Sequence, residues 1–248
     1  MKHALVCTLL LFNSNYIAAL EVVFEHNPPF QMVDESGTGY GPVYFFAKKL
    51  LKAANLKGKF TAKPWARIMN IDAHRPNVMI LSMSKTPQRA NRFIWLTSVY
   101  TGQQYLWKIR SRAEPTNGVV NVAIERNSHK MKSVISYFRE DNVLQVINST
   151  QALQALIKGR VNRFVGTTFA VSGKLADLGY DISILERLNV FDEAGFESKG
   201  LYLTLTLNTQ EKYVSAIQQA LASSEIKRAR HELFTGFVMA EKAILTEQ

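Results

Sequence analysis

The stretch that decides the fold is SMSKTPQRANRFIWLTSVY, residues 82–100. It leaves an apolar run, NVMIL, through two serines and then places Thr-Pro and an arginine within one helical turn. Thr86 is expected to cap free backbone N–H groups at the start of a short helix, and Pro87 suits the first helical position. Arg89 fits less easily. A helix N-terminus already carries partial positive charge, so a cation in its first turn is misplaced unless something negative sits in front of it. Arg89 therefore points to an anionic ligand.

Upstream of this stretch, LEVVF reads as a strand and EHNPPF as a loop. GPVYFFAKKLLKAAN reads as a helix, with Pro42 in its first turn and Val43, Phe46, Ala47, Leu50 and Ala54 at helical spacing. GTGYG before it is a turn. KFTA is a strand, PWARIMNIDA a helix behind Pro64, and NVMILSM a buried strand. Strand and helix in alternation predict a parallel sheet covered by helices, an α/β fold.

Downstream, VYTGQQYLWKIR is extended, SRAEPTNG is a loop, and the rhythm restarts. VVNVAIE, VLQVIN, RVNRFVG and ISILERL read as strands; KMKSVISYFRE, STQALQALIKG and TTFAVSGKLADLG read as helices. In the second of these helices Ser149 or Thr150 is the expected cap and Gly159 the end. GLYLTLTLN is extended again, and residues 208–234 are helical with a break near Ser223 and Ser224. Two α/β lobes joined by two crossing strands, near residues 103–109 and 200–207, predict a cleft between them. The expected division is a leader over residues 1–19, one lobe from 20–105 plus 201–248, and a second lobe from 106–200.

The leader is read from MKHALVCTLLLFNSNYIAA, with a basic start, an apolar run too short to span a bilayer, and small residues before Leu20. The single cysteine, Cys7, lies within it, so the mature chain needs no disulfide. At 248 residues and 47% hydrophobic the chain can bury a sizeable core. A soluble product exported to a bacterial periplasm is expected. The formal charge is +10, of which Lys2 leaves with the leader. Such a charge favours small anions or acidic envelope surfaces, and export argues against nucleic acid. A merely solvated basic surface explains the charge equally well, since the Lys and Arg residues form no run.

PPFQMVDESGTGYGPVYFFAKKLLKAAN, PWARI and ILSMSKTPQRANRFIWLTSVY, with the second lobe and the closing helix, resemble the family 3 extracytoplasmic solute-binding proteins. These are type II periplasmic binding proteins that include amino-acid receptors of ABC transporters. The most specific element is S-x-T-P-x-R-A followed by a hydrophobic strand ending in tyrosine. The resemblance implies that Arg89 pairs with a ligand carboxylate, assisted by Ser84. It further implies that Trp65 packs against the ligand and that the loop from Glu25 closes the first-lobe side; on hinge closure Ser128 and Thr167 are expected to complete the shell from the second lobe. Arg67 in PWAR matches a pattern in orphan members. The sequence also departs from the family: Thr167 stands where an ammonium-binding aspartate is usual, Ser82 where a glycine is usual, and ERNSHK replaces a glycine-rich loop, with Arg126 and His129 adding positive charge. These changes imply a ligand of net negative charge with an apolar or aromatic part, unless Glu25 or Glu125 supplies the missing carboxylate.

Five loops, EHNPPF, KPWAR, SMSKTPQR, ERNSHK and VGTTF, are expected to face one cleft, because ligands of open α/β sheets bind beyond the carboxyl ends of the strands. No catalytic signature is present: G-x-S-x-G, H-E-x-x-H and the phosphate loop are all missing. The histidines have no paired spacing, so neither a metal site nor a cofactor is expected. The reading is a monomeric, non-enzymatic binding protein that passes its ligand to an ABC permease or a membrane sensor. An enzyme on the same scaffold, dehydratase-like on a cyclic carboxylate, and an orphan sensory module are the alternatives. Glu25, Glu125 and His129 are the candidate acid–base groups of the former.

Overall fold

The computed structural model describes residues 19–191 and 200–246, so the expected leader and Cys7 lie outside the described residues apart from Ala19. The chain opens with β1 (Leu20–Phe24), a short hairpin of β2 (Met32–Val33) and β3 (Gly39–Tyr40), α1 (Pro42–Ala53), β4 (Gly58–Ala62) and α2 (Trp65–Asn70). It continues with β5 (Val78–Ser84), α3 (Pro87–Ala90), β6 (Phe93–Thr101) and β7 (Gln104–Ile109). Next come β8 (Val122–Glu125), α4 (Met131–Phe138), β9 (Val143–Val146), α5 (Ser149–Ile157), β10 (Phe164–Thr167) and α6 (Thr168–Asp177). β11 (Leu185–Val190), β12 (Gly200–Thr206), α7 (Glu211–Ala222) and α8 (Ser224–Thr246) complete it.

Two sheets carry the two lobes. The first has the order β4-β1-β5-β12-β6, with β1 parallel to β4 and β5, and β12 antiparallel to β5 and β6. The second has the order β10-β7-β11, and the parallel pair β8–β9 joins it through a bridge between Val122 and Arg163. β7 thus belongs wholly to the second sheet, and the first crossing is confined to the turn between β6 and β7.

β5 is buried along its whole length, and its alternation shows how the cleft edge is shaped. Met79 and Leu81 face the core under α1, α7 and α8, while Val78 and Ile80 face the opposite core with Ile68 and Phe93. Strict alternation would put Met83 with Leu81, yet it lies with Ile80. The inversion occurs at Ser82, whose φ of 53° is left-handed, beside a register irregularity against β12. A bulge of this kind re-aims the residues beyond it. A non-glycine residue in this conformation costs about 1–3 kcal/mol.

Two helix starts differ from expectation. Thr86 occupies the cap position of α3 but its side chain makes no capping bond, and α5 is capped by Asn148, whose Oδ1 accepts from Gln151 N at 2.8 Å. Asn148 wins because it is the residue with extended φ and ψ, while Ser149 is already helical. The break at Ser223 is present, and α8 runs on to Thr246 because Phe237, Ala240 and Ile244 continue its apolar stripe.

Phe237 enters an aromatic cluster with Phe30, Tyr100 and Phe169 at centroid distances of 5.7, 5.7 and 5.0 Å. Phe30 and Tyr100 come from the first lobe and Phe169 from α6 of the second, so the cluster spans the junction. Truncating the buried ring in Phe237→Ala should cost about 3–5 kcal/mol, measured by urea unfolding; a loss under about 1 kcal/mol would show that the end of α8 is not part of the core.

Candidate functional site

The five loops meet around one cavity of about 140 Å³. Glu25, Asn27 and Phe30 come from the loop after β1, Trp65 from the start of α2, and Ser82, Ser84 and Arg89 from the end of β5 and α3. Glu125, Ser128, His129 and Lys130 line the opposite wall, with Thr167, Ala170 and Lys174 from the start of α6. Tyr100, Leu81, Phe164 and Phe191 give it an apolar and aromatic surface.

Arg89 is only 7% exposed. Its Nη1 donates to the Ser84 carbonyl at 3.3 Å and its Nη2 to the Asn127 carbonyl at 3.1 Å, on the opposite wall. The guanidinium lies 5.3 Å from the centroid of the Trp65 ring, and the Trp65 indole N–H donates to the same Asn127 oxygen at 3.3 Å. A cation over an indole face is held electrostatically, which fixes the arginine's direction. Burial lowers the Arg89 pKa to about 10, opposed by the charge of Glu125, so the group stays cationic at neutral pH.

The remaining expected residues are distributed unevenly. Ser82 is buried and its hydroxyl donates to Gln31 Oε1 at 2.6 Å, which steadies the bulge. Ser128 accepts from the Lys130 N–H at 3.3 Å, and Thr167 caps α6 by accepting from Ala170 N at 3.3 Å. Arg67 is exposed and lies outside the cavity lining, because it sits on the solvent side of α2 opposite Ile68. Arg126 is likewise exposed and outside it. His129 lines the cavity, but burial first and the charges of Lys130 and Arg89 second hold its pKa well below the ordinary histidine value. The positive charge expected from Arg126 and His129 comes instead from Lys130 and Lys174.

Glu25 and Glu125 come from opposite lobes and both line the cavity, where each acts on the other's ionisation. Burial, reinforced by the charge of Glu25, pushes Glu125 up to about 9. Burial also raises Glu25, which the charge of Lys174 partly offsets. Lys174 donates to Asn27 Oδ1 at 2.6 Å and the Pro28 carbonyl at 3.1 Å, crossing from α6 to the first lobe. Its pKa falls to about 8 through burial, opposed by Glu25. A second cross-lobe contact joins His26 Nε2 to Asp177 Oδ2 at 3.0 Å. Gly173, next to Lys174, lies against Pro29, where a Cβ would overlap the proline ring.

Residues 20–235 match the bacterial extracellular solute-binding proteins, family 3. The chain belongs to this family. The fold is the type II periplasmic-binding-protein fold. A histidine kinase sensor domain with similarity to periplasmic binding proteins superposes with a TM-score of 0.70 at 11% identity, covering 87% of this chain and 96% of that one. The arginine-, lysine-, histidine-binding protein ArtJ from the thermophilic bacterium Geobacillus stearothermophilus gives 0.69 at 13% identity, over 88% and 94% of the two chains. An ancestral amino acid-binding protein, a precursor of cyclohexadienyl dehydratase, gives 0.69 at 17% identity, over 88% and 95%. No curated protein sequence matches.

In this family 3 protein several cleft residues were not selected from the sequence. Lys174 carried a usable signal, since it falls on the same side of α6 as the apolar Val171 and Leu175, where a lysine must find partners. Gln104 carried none. Among the described residues there is no group of three side chains able to hold a metal, and no helix long and apolar enough to cross a membrane.

The ionisations give a pH signature. Glu125 binds its proton more tightly folded than unfolded, so its contribution is full below the ordinary glutamate value of 4.5 and is lost as pH rises towards 9. His129 acts in the opposite sense below 6.5, and Lys174 above about 8. Between pH 6.5 and 8 the Glu125 effect should therefore dominate: stability should fall by up to about 1.4 kcal/mol per pH unit, and Glu125→Gln should flatten the slope in thermal melts. An identical slope in the variant would mean that the pair does not hold the proton.

Proposed function

We propose that this family 3 protein works in the periplasm, behind a cleaved leader, as a receptor for a small carboxylate-bearing, amino-acid-like ligand that it hands to an ABC permease. The carrying observation is Arg89. Both hydrogen bonds it makes among the described residues go to main-chain carbonyls, one from each lobe. A buried cation satisfied by neutral acceptors alone leaves a large part of its desolvation cost uncompensated. A ligand carboxylate is a stronger acceptor and can take two parallel N–H bonds from a guanidinium.

Support for the shell comes from the lining. Ser84 flanks Arg89, Trp65 covers its face, and Ser128 and Thr167 stand on the second-lobe side. The ligand would bind the first lobe at Arg89 and draw the second lobe over it, with the two crossings near residues 103–109 and 200–207 bending.

A second reading has one observation behind it: a Glu125 carboxyl that keeps its proton at neutral pH is a ready acid, as a dehydratase on this scaffold would need. Mass spectrometry of an incubated ligand separates the two, since binding alone returns it unchanged. A membrane sensor in place of a permease is the remaining variant of the partner, and co-purification with one or the other decides it.

A thermal-shift screen of amino acids, dicarboxylates and aromatic acids should yield compounds that raise the melting temperature. For the best of these, Arg89→Ala should lose about 2–5 kcal/mol of binding in calorimetry. Undiminished affinity in that variant would overturn the anchor.

A further inference from the structure

The chain carries two acidic residues for every three basic ones, yet residues 36–71 hold seven Lys and Arg and no Asp or Glu. Lys63 is neutralised from outside this segment, by Glu21 at 2.8 Å and Asp72 at 2.7 Å. Three of the others gather on α1. This helix buries Val43, Tyr44, Phe46, Ala47, Leu50 and Leu51. Its outward stripe reads Phe45, Lys48, Lys49 and Lys52, the i, i+3, i+4, i+7 spacing of one helix face. All four are exposed, Phe45 to 57%. No residue of α1 lines the interlobe cavity, so this surface lies apart from the ligand site.

The stripe is unfavourable as a merely solvated face. Lys48 and Lys52 stand at i, i+4 and Lys49 and Lys52 at i, i+3, spacings at which like charges destabilise a helix. Among the described residues its ion pair is a 3.8 Å contact from Lys49 to Glu225, both largely exposed, and pairs of that kind contribute little. Lys48 leans over the Tyr44 ring at 5.7 Å. α8, packed beside α1, follows Glu225 with exposed Lys227 and Arg228. A phenyl ring exposed at the head of the lysine row adds an apolar cost that water does not relieve.

We propose that the outer face of α1 docks on an anionic phospholipid surface, with the lysines on headgroup phosphates and Phe45 at the boundary with the acyl chains. Phosphate oxygens relieve the repulsion among the lysines, and an apolar ring among cations is the composition by which an amphipathic helix lies in a membrane interface. An acidic protein would answer the charge, but it would need a pocket shaped for Phe45, whereas the acyl boundary takes the ring without one. The inference goes beyond the receptor reading and does not depend on the ligand: docking of this kind holds the protein against a membrane whatever the cleft binds.

The test is sedimentation of the exported protein with vesicles of equal parts phosphatidylglycerol and phosphatidylcholine, at about 0.1 M salt, against vesicles of phosphatidylcholine alone. Binding is expected to the first and not to the second. Each lysine near such a surface is worth about fivefold, so Lys48→Gln/Lys49→Gln/Lys52→Gln together should lower partitioning by about a hundredfold. Lys132→Gln/Lys158→Gln/Arg160→Gln removes the same charge from exposed second-lobe positions and should lower it by less than about fivefold. Because Cys7 lies in the expected leader, Phe45→Cys offers a single thiol for an environment-sensitive dye, whose emission should shift to the blue on the anionic vesicles. Equal losses in the two triple variants, or an unshifted dye on vesicle-bound protein, overturn the proposal, since binding would then follow net charge alone. So does displacement by soluble glycerol phosphate, which marks a headgroup pocket, and so does binding to polyglutamate with none to vesicles, which marks an acidic protein partner. Should the α1 triple variant fold poorly, the dye at position 45 decides.

Discussion

Keeping a guanidinium out of water where two lobes meet requires acceptors on every side, and the architecture around Arg89 supplies them only in part. β5 delivers the chain to the cleft edge, the bulge at Ser82 sets which way the residues beyond it face, and a helix of a single turn aims Arg89 back across the Ser84 carbonyl. Trp65 covers its flat face and Asn127 reaches it from the other lobe. Each of these elements is ordinary by itself. Together they produce a charged group that is oriented, shielded from solvent and left with neutral partners, which is the state a binding site needs before an anion arrives.

The electrostatic balance of the cleft differs from what the loop ERNSHK suggested. Its two obvious cations do not act there, since Arg126 is exposed and burial keeps His129 neutral. Positive charge arrives from Lys130 and Lys174, and it faces a carboxyl pair that spans the lobes. The cavity thus offers acceptors as well as donors. The same cross-lobe contacts, Lys174 to Asn27 and His26 to Asp177, bring α6 down onto the loop before Phe30.

Most of the fold was legible in the sequence because it is written in local signals. Periodicity located β1, α1, β5 and the second-lobe helices, and Pro42, Pro87 and Gly159 placed helix ends. Arg89 was legible for an electrostatic reason, being a cation where a helix disfavours one. Capping was less secure: Asn148, Ser149 and Thr150 are all good caps, and only the backbone angles chose Asn148. The carboxyl pair was not legible as a pair. Glu25 and Glu125 are a hundred positions apart, and nothing local to either reports that two lobes bring them together. Arg67 lies outside the cavity lining for the complementary reason, since two residues along a helix from Trp65 is far enough to turn a side chain to solvent.

The reach of α8 past the family match carries a consequence for the moving parts of the molecule. Phe237 wedges its ring among side chains from both halves, so the last turns of the chain ride on the joint instead of hanging from one end. Any rocking of the halves must slide or release that wedge. A fluorophore fused behind Thr246 would then sit on the pivot itself, turning this tail into a gauge of whether the jaws stand apart or shut.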